Sequence, residues 1–516
     1  MTESEVPESE LIRVRREKLA RIVALGYDAF PTTADVDASV ADVVARYGAK
    51  SHDELEGEKA RVKIAGRILT VREFGKTAFL VLSEKTARIQ AYCRKDALSE
   101  KEWELYRNLD AGDWVEVHGT VFRTKTNELS VKADHLHFLV KALRPLPSKW
   151  HGLTDVEQRY RQRYVDLIVN DDVKATFETR ARIVRTIRNW FDGHGFIEVE
   201  TPMMQPIAGG AAARPFITHH NALDIDLYLR VAPELYLKRL IVGGLGRVYE
   251  INRNFRNEGI SMRHNPEFTM LEFYQAYADY EVLIDESEDL LSGLVRDVLG
   301  RETVTYRGQK LSFKRPFARF SMKEAIAHFS DINIADLDNR ESLMELVKKY
   351  GEHRPVKADG TEGPKEGAVP PIQAMNDGKL LAELFESIAE EKLIQPTFIT
   401  DFPTEVSPLS KQRKDDPRFV ERFELYVGGM EIANAFSELN DPDEQARRFL
   451  QQLRERERGD EEAHQMDDDY VRALEYGMPP TGGEGIGIDR LAMILTDSPT
   501  IRDVILFPQM RPQRQT

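Results

Sequence analysis

Two glutamates near residue 430 could hold a divalent cation. The stretch RFELYVGGMEIANAF, residues 422–436, has two hydrophobic runs joined by Gly428-Gly429, a pair typical of tight turns between antiparallel strands. A regular register gives two pairs of partners, Tyr426 with Glu431 and Leu425 with Ile432. That register places Glu424 and Glu431 on one face. Adjacent carboxylates repel each other unless a cation lies between them, and Mg²⁺ held by carboxylates and substrate phosphates fits this pair. The alternative is two solvated glutamates on an edge hairpin.

A charged loop between two alternating segments could bind phosphate groups. The segments Arg247–Arg256 and Glu267–Tyr277 alternate in polarity as strands do. The loop that joins them carries Arg256, Glu258, Arg263 and His264. One face of the second segment carries Phe268, Met270, Glu272 and Tyr274. These features favour a nucleotide lying on a sheet, and the alternative is a decorated hairpin with a solvated loop.

A glycine-rich segment near the C-terminus could contact a phosphate. The sequence TGGEGIGIDRLAMILTD, residues 481–497, allows close approach of its backbone to a ligand and leads into an apolar helix face. Arg490 falls in the first turn of that helix, where backbone N–H groups attract anions. The segment lacks the GK[ST] of a P-loop and the glycine spacing of a dinucleotide fingerprint. Tight packing of helix against sheet is the alternative explanation.

Three further carboxylates have no role in a nucleotide site: Glu234, Glu272 and Glu438. A second substrate with ammonium groups would complement them.

The bulk composition describes a globular protein of several domains. The chain has 516 residues, of which 41% are hydrophobic and 31% are charged, and a net charge of −15. This charge argues against a protein that coats nucleic acid with its whole surface. Cys93 is the only cysteine, which excludes an intrachain disulfide and a four-cysteine zinc site. The sequence has no signal peptide and no membrane-spanning run, so we expect a cytoplasmic protein without a membrane partner.

The first third of the chain is expected to form a helix and a small barrel. Residues 11–25 carry an apolar stripe that predicts a helix ending near Gly26, beside basic residues that could contact RNA. Five short alternating segments and one helix within residues 61–143 predict a five-stranded barrel of the OB type, which commonly binds single-stranded nucleic acid. Phe79 and Gln90 fall on neighbouring strands, where they could stack on a base and read its edge. The alternative is that the ring of Phe79 belongs to the core of the barrel and that the amide of Gln90 is solvated.

The rest of the chain is expected to form one large domain with helices and strands. Pro145 and Pro147 predict an extended connector before it. Beyond the connector we expect, in order, a helix over residues 172–194, a strand over 196–204, a surface insertion over 351–371 and a helix that is capped by Asp441 and extends toward Glu475.

Three motifs in order along the chain carry a resemblance to a known family. GFIEVETPMM (195–204), NFRNEG (254–259) and GEGIGIDR (483–490) resemble the three signatures of class II aminoacyl-tRNA synthetases. With APELYLKRL (232–240) and the N-terminal barrel, the chain most resembles the bacterial type of lysyl-tRNA synthetase, over nearly its whole length. The resemblance implies an α+β fold in a homodimer. An OB-type barrel would read the anticodon, and the catalytic domain would be a six-stranded antiparallel sheet flanked by helices.

The resemblance and the segment pattern together define the expected domains and reaction. The expected domains are a helical segment at 1–55, the barrel at 56–143, a linker at 144–171 and a catalytic domain at 172–516 with an insertion at about 310–396. The implied reaction activates L-lysine with ATP to lysyl-adenylate and pyrophosphate, with Mg²⁺ as cofactor. It then transfers lysine to the 3′-terminal ribose of tRNA(Lys).

The resemblance also implies roles for individual residues. ATP would be bound by Arg256, Glu258, Arg263, His264, Phe268 and Arg490, of which Arg256 and Arg490 would be catalytic. Lysine would be bound by Gly210, Glu234, Arg256, Glu272, Tyr274, Asn434 and Glu438. Mg²⁺ would be bound by Glu424 and Glu431, and the central uridine of the anticodon by Phe79, Gln90 and Glu128.

Two details depart from the family pattern or from a regular hairpin. Ala433 and Ala435 stand where the family often has glycine, and their methyl groups could narrow the lysine pocket. In a regular hairpin Asn434 and Glu438 would face away from Glu431. We therefore expect a bulge or a strand end near Ala433.

Three other functions can be weighed against the same residues. An aspartate or asparagine ligase needs cationic groups for the substrate side chain, whereas Glu272 with Tyr274 favours an ammonium group. Lysine-activating paralogues that modify proteins lack the barrel. A catalytically inactive RNA-binding or regulatory protein is expected to have lost residues that are all present here: Arg256, Glu424, Glu431 and Arg490.

Overall fold

The computed structural model describes residues 10–147, 153–351, 372–457 and 465–512. These residues fall into two compact units, residues 1–175 and 176–516. The expected surface insertion at 351–371 and the middle of the charged stretch before Glu475 lie almost entirely outside the described residues.

The first unit is built on the closed five-stranded barrel that the segment pattern predicted, with strand order β1-β2-β3-β5-β4. Its strands are β1 (Arg61–Phe74), β2 (Thr77–Glu84), β3 (Ala87–Arg94), β4 (Trp114–Arg123) and β5 (Leu129–Val140). Its helices are α1 (Glu10–Ala24), α2 (Val40–Tyr47), α3 (His52–Glu58), α4 (Glu100–Arg107), α5 (Val156–Arg161) and α6 (Arg163–Val169). Helix α4 lies between β3 and β4 and is the one helix expected within residues 61–143. Alternate residues of the strands fill the barrel with valine, leucine and isoleucine.

The second unit contains an eight-stranded main sheet with helices packed against it, a three-stranded sheet and a two-stranded sheet. Its strands are β6 (Ile197–Glu198), β7 (Met204–Gln205), β8 (Ile217–His220), β9 (Ile225–Leu229), β10 (Arg247–Phe255), β11 (Glu267–Ala276), β12 (Thr303–Tyr306), β13 (Gln309–Ser312), β14 (Ala318–Ser321), β15 (Thr397–Pro403), β16 (Phe419–Val427), β17 (Met430–Ser437) and β18 (Thr481–Gly487). Its α-helices are α7 (Asp171–Gly193, which begins in the first unit), α8 (Glu234–Val242), α9 (Tyr280–Leu299), α10 (Met322–His328), α11 (Arg340–Gly351), α12 (Asp377–Ile388), α13 (Pro442–Glu457), α14 (Asp468–Glu475), α15 (Ile488–Leu495) and α16 (Ile501–Val504).

The main sheet has the order β14-β15-β16-β17-β18-β11-β10-β6. The six strands from β15 to β10 pair antiparallel throughout, as the resemblance implied, and one strand at each edge pairs parallel. One face of this sheet is covered by the apolar sides of α7, α9 and α15, where Phe191 stacks on Tyr249 at 4.7 Å between ring centroids. The polar side chains of β10, β11, β17 and β18 are left for the opposite face.

The long strand expected over residues 196–204 is wrong. Only Ile197–Glu198 and Met204–Gln205 form strands there, and they belong to different sheets. Pro202 lies between the two pieces, and proline cannot donate to a ladder. The alternation of FIEVE therefore predicted a strand correctly at Ile197–Glu198 only, and not over all nine residues of 196–204.

The hairpin of β16 and β17 is confirmed, with one change of register. Gly428 and Gly429 turn the chain at φ +64° and +71°, and Tyr426 pairs with Glu431 as expected. Leu425 pairs with Ala433, however, and not with Ile432. Ile432 is therefore the extra residue of a bulge, which is the irregularity expected near Ala433.

The cap of α13 and the character of the helices were also expected from the sequence. Asp441 caps α13, since its carboxylate accepts hydrogen bonds from the backbone N–H of Asp443 (3.0 Å) and Glu444 (3.1 Å). Among the described residues, none of the helices has both the length and the apolar character needed to cross a membrane.

Candidate active site

A cavity opens on the polar face of the main sheet in the second unit. The predicted residues that line it are Gly210, Glu234, Arg256, Glu258, Arg263, His264, Phe268, Glu272, Tyr274, Glu431, Asn434 and Arg490. The alternation of β11 aims Phe268, Met270, Glu272 and Tyr274 into it, as the sequence predicted. Two predicted residues, Glu424 and Glu438, are not part of the lining but neighbour residues that are.

Glu272 is the carboxylate at the acidic end of this cavity. Asn254 Nδ2 and Tyr274 Oη each donate to its carboxylate over 3.3 Å. Burial, with a smaller contribution from the charge of Glu234, raises the pKa of Glu272 to about 8. A carboxyl group of this kind is mostly protonated at neutral pH and becomes charged when a cation arrives beside it.

Lys238 lies fully buried between two of the predicted lysine-binding carboxylates. Its Nζ is 2.5 Å from Glu234 Oε1 and also forms an ion pair with Glu438 Oε2. Burial alone would lower the pKa of Lys238, but the two carboxylates raise it, so the ammonium stays charged. Burial also raises the pKa of both Glu234 and Glu438. Within the described part of the chain, Oε1 of Glu438 has no hydrogen-bond partner.

Two glycines make room for this acidic cluster. A Cβ atom on Gly483 would lie 2.1 Å from Glu438 Oε1 and 2.4 Å from Tyr274 Cε1. Gly210 has φ +89°, and a Cβ atom there would lie 3.1 Å from that of Glu234. Both positions therefore exclude a side chain, which explains the glycines without reference to a ligand.

The other end of the cavity is cationic. The guanidinium of Arg256 lies 5.2 Å from the ring centroid of Phe268. Arg490 donates to Glu431 O at 2.7 Å and to His264 Nε2 at 3.1 Å. Arg263 donates to Gly429 O at 3.0 Å, which ties the loop to the hairpin turn. Glu258 is exposed at the rim.

A group of carboxylates surrounds the predicted metal pair. Glu424 accepts hydrogen bonds of 2.5 Å from Arg422 and from Tyr426 Oη. Burial raises its pKa to about 7, and the neighbouring charge of Glu431 adds to the shift. Burial and the charge of Glu386, followed by that of Glu431, raise the pKa of Glu390 to about 7 as well. A set of carboxylates that resists full ionisation is suited to a divalent cation.

The bulge in β17 brings Asn434 to the cavity face together with Glu431. Asn434 Oδ1 accepts a hydrogen bond of 3.0 Å from Arg422, which links it to Glu424. Ala433 and Ala435 point the other way, into the buried core under the sheet. Their methyl groups therefore do not narrow the cavity, contrary to the expectation.

In the first unit, the predicted anticodon-reading residues form a separate patch on the barrel. Gln90 Nε2 donates to Glu128 at 3.2 Å, and its Oε1 accepts from Ser130 at 3.2 Å. The ring of Phe79 is half-buried and lies 4.9 Å from that of Tyr92. Gln90 is buried, so the alternative of a solvated amide is wrong.

Three residues near the cavity were missed by the sequence reasoning. Lys238 and Glu390 take part in the ionic clusters, and Asp489 fixes the junction of β18 and α15. Asp489 accepts from the backbone N–H of Thr269 at 2.7 Å and pairs with Arg180 at 2.6 Å. Lys238 follows Glu234 by four residues, a spacing that usually marks a surface ion pair on a helix.

Comparisons with known proteins extend these observations over the whole chain. Residues 155–511 match the family described as "tRNA synthetases class II (D, K and N)", and residues 62–139 match "OB-fold nucleic acid binding domain". The chain is 52% identical over 513 residues to a Lysine--tRNA ligase of Syntrophomonas wolfei, with 99% of each chain covered. It is 52% identical over 509 residues to one of Moorella thermoacetica, covering 98% of this chain and 99% of that one. It is 51% identical over 510 residues to one of Azoarcus sp., covering 98% of each.

Proposed function

The chain belongs to the lysine–tRNA ligases of the class II aminoacyl-tRNA synthetase family, and we propose that this cavity joins L-lysine to ATP and then passes the lysine to tRNA. The observation that carries the proposal is the meeting of two opposite chemistries in one cavity. Buried carboxylates line one end, at Glu272, and arginines line the other, at Arg256 and Arg490. Phe268 and Glu272 are four residues apart on one strand face, which is about 13 Å.

The charges of the acidic end are complementary to lysine. Three carboxylates (Glu234, Glu272 and Glu438) lie close together at this end, and Lys238 forms ion pairs with two of them. Free lysine carries two ammonium groups that can pair with this excess of carboxylates, and its one carboxylate is left for Arg256 at the other end. A neutral isostere of lysine would leave a buried carboxylate unpaired and would be rejected.

The proposed roles follow the chemistry of each group. Glu234 and the backbone at Gly210 bind the α-amino group, while Glu272, Tyr274 and Glu438 bind the ε-ammonium. Arg256 holds the lysine carboxylate against the α-phosphate of ATP. Phe268 stacks on adenine, and the triphosphate lies along Glu258, Arg263, His264 and Arg490. Asn434 supports the lysine site through Arg422 and Glu424.

The reaction needs positioning and charge neutralisation more than a protein base. An oxygen of the lysine carboxylate attacks the α-phosphorus, the bond to the β-phosphate oxygen breaks, and pyrophosphate leaves. A hydroxyl of the terminal ribose of tRNA then attacks the carbonyl carbon of lysyl-adenylate, and AMP leaves. Loss of a preorganised charge such as Arg256 should cost about 3 kcal/mol or more of the barrier.

Mg²⁺ is the proposed cofactor of the first step. Glu424 and Glu431 would hold it, since their carboxylates lie on adjacent strands and repel each other without a cation. The ion would neutralise charge on the phosphates of ATP.

Further parts of the proposal concern partners and compartment. We propose that the barrel binds the anticodon of tRNA(Lys), with Phe79, Gln90 and Glu128 at the central uridine. A homodimer is supported by exposed apolar side chains on the edge strand β6 and on the three-stranded sheet β7-β9-β8, namely Ile197, Met204, Ile217, Leu223 and Ile225. The enzyme would work in the cytoplasm, without a membrane partner.

Exchange of pyrophosphate into ATP, measured with each amino acid in turn, tests the proposal. We expect exchange with lysine and with no other natural amino acid, and transfer of lysine to tRNA(Lys) in a second assay. Exchange driven by aspartate or asparagine, or no exchange with lysine, would contradict it. A variant Arg256→Gln should lose exchange by about 100-fold, whereas Arg301→Gln on the surface should not change it.

A further inference from the structure

A cluster of two histidines and a glutamate lies on the outer face of the barrel, in the first unit. His118 on β4 and His135 on β5 are direct cross-strand partners, and Glu116 precedes His118 by two residues on the same face. One potential ligand atom from each of the three lies within 4.8 Å of the other two. Among the residues that the structure describes, this is the one group of three such side chains with metal-binding proximity.

The surroundings of His135 fix its orientation. Its Nδ1 lies 2.5 Å from Glu102 Oε1. Glu102 is itself held by Ser99 and by the backbone N–H of Leu136 at 3.1 Å. With its Nδ1 proton directed at a carboxylate, the lone pair of His135 is on Nε2. A carboxylate behind the non-ligating nitrogen is the usual support of a histidine that binds a metal.

The other two side chains contact each other where a metal would be bound. His118 Nε2 lies 2.7 Å from Glu116 Oε1 and 3.1 Å from Asp35 O. The second oxygen of Glu116 accepts from the backbone N–H of Asp35 at 2.8 Å. In a tetrahedral zinc site with bonds of about 2.0–2.1 Å, neighbouring ligand atoms are about 3.3 Å apart. A metal between these two atoms needs them about half an ångström farther apart. The ligand nitrogen of His135, which lies within 4.8 Å of both, would have to reach a similar spacing.

The local charges also favour a dication. Three carboxylates surround the two imidazoles, from Glu102, Glu116 and Asp35, and one ammonium, Lys63, contacts Asp35 at 2.5 Å. Lys63 and, more weakly, the two histidines lower the pKa of Asp35, which places all three close to this carboxylate. With neutral imidazoles, the three carboxylates and the Lys63 ammonium together carry a net charge of −2.

We propose that Glu116, His118 and His135 form a binding site for a divalent transition metal of the Zn²⁺ type. Imidazole nitrogens select such ions over Mg²⁺ and Ca²⁺. A fourth position faces solvent beside the half-exposed ring of His135 and is filled by water or by the Asp35 carboxylate. Because Asp35 belongs to the segment between α1 and α2, the metal would fasten that segment to β4 and would not take part in the reaction of the second unit.

Binding of Co²⁺ to the full-length protein, followed by visible absorption in the presence of excess Mg²⁺, tests the site. Excess Mg²⁺ would compete for the proposed site at Glu424 and Glu431 in the second unit, so an imidazole-type spectrum reports on histidine ligands. We expect one Co²⁺ per chain with this spectrum, displaced by one Zn²⁺.

Variants identify the ligands. His118→Asn and His135→Asn should each abolish the spectrum, whereas His52→Asn, at an exposed histidine of α3, should leave it unchanged. Zn²⁺ should raise the melting temperature of the wild-type chain and of His52→Asn only. Absence of the cobalt spectrum in the wild-type protein, or a spectrum that persists in both ligand variants, would overturn the proposal.

Discussion

The side chains that we propose decide substrate choice are buried acids whose charge depends on neighbouring charged groups. Glu272 is the clearest case, since its pKa is raised to about 8 by burial and by the charge of Glu234. With this pKa, Glu272 is mostly protonated at neutral pH, and in its proposed role it must lose the proton to pair with the lysine ammonium. Binding of substrate and release of a proton are therefore linked.

This linkage predicts a pH dependence of lysine binding. At pH 7, about one unit below its pKa, Glu272 is about 90% protonated, so lysine binding should release nearly one proton. Affinity should rise about tenfold per pH unit up to about pH 8 and then level off. Calorimetry in buffers of different ionisation enthalpy measures the released proton directly.

The control is Glu272→Gln, which cannot titrate. Its lysine affinity should fall far more than its ATP affinity, and its remaining binding should release less than half of the wild-type proton count. Equal losses for lysine and ATP, or an unchanged proton count, would contradict the role of Glu272.

Lys238 leads to a second prediction at the scale of the residue. Lys238→Met would leave Glu234 and Glu438 facing each other without a cation. We expect a lysine KM at least about tenfold higher with little change in the KM for ATP, and a stability loss of about 3–5 kcal/mol, as for other broken buried ion pairs. Pyrophosphate exchange and thermal unfolding measure the two effects.

Arg239→Met is the matched control for Lys238, because Arg239 is the next residue of α8 and pairs with Asp467 at 2.9 Å, away from the cavity lining. It should lower stability without changing the lysine KM. The double variant Lys238→Met/Glu438→Gln should recover part of the lost stability, since Glu234 then no longer faces a second carboxylate. If Lys238→Met and Arg239→Met change the lysine KM equally, Lys238 is structural only.

At the scale of the element, the sequence predicted the strands and turns that depend on local alternation and on turn-forming residues. The strands at 247–255 and 267–276 and the turn at Gly428-Gly429 were expected from the pattern and are present. The bulge at Ile432 had to be inferred from a conflict between two assignments, because a bulge leaves no compositional signature. The strand expected over 196–204 failed because alternation says nothing about the partner strand that must be present.

Strand β18 gives a prediction that depends on its glycines. Gly483→Ala would place a methyl group against Glu438 and Tyr274, at 2.1 and 2.4 Å. Overpacking of this kind costs about 1–3 kcal/mol. If this cost falls on the catalytic geometry, lysine-dependent exchange should decrease by about 5- to 150-fold.

Gly485→Ala, on the same strand, is its control. The added Cβ would meet the flexible end of Met270 at 3.3 Å and Glu272 Cγ at 3.6 Å. We expect a loss of only a few-fold, with both variants folded by circular dichroism. Equal losses in the two variants would mean that the acidic cluster does not depend on the space at Gly483.

At the scale of the whole molecule, the two units carry different chemistry. The net charge of −15 belongs to the whole chain, whereas nucleic acid is attracted by local fields within about 10 Å. The total charge therefore argued against a protein that coats nucleic acid with its whole surface. It said nothing about recognition of single bases on one face of a barrel. The features that separated the two units in the sequence were the prolines after β5 and the change from short strands to longer elements.

This division predicts that tRNA recognition and lysine activation can be separated by a single substitution in the barrel. Phe79→Leu keeps an apolar side chain beside Tyr92 but removes the ring that would stack on a base. Stacking is worth about 1–3 kcal/mol, so the KM for tRNA should rise by about 5- to 150-fold, while pyrophosphate exchange without tRNA should not change. Phe30→Leu, at an exposed ring outside the barrel strands, is the control and should alter neither activity.

A tRNA with a changed central anticodon base gives the second measurement. The change should strongly weaken charging by the wild-type enzyme. In Phe79→Leu the same change should weaken charging less, because the contact that detects the base is already gone. A loss of pyrophosphate exchange in Phe79→Leu, or full sensitivity to the central base, would remove Phe79 from the anticodon site.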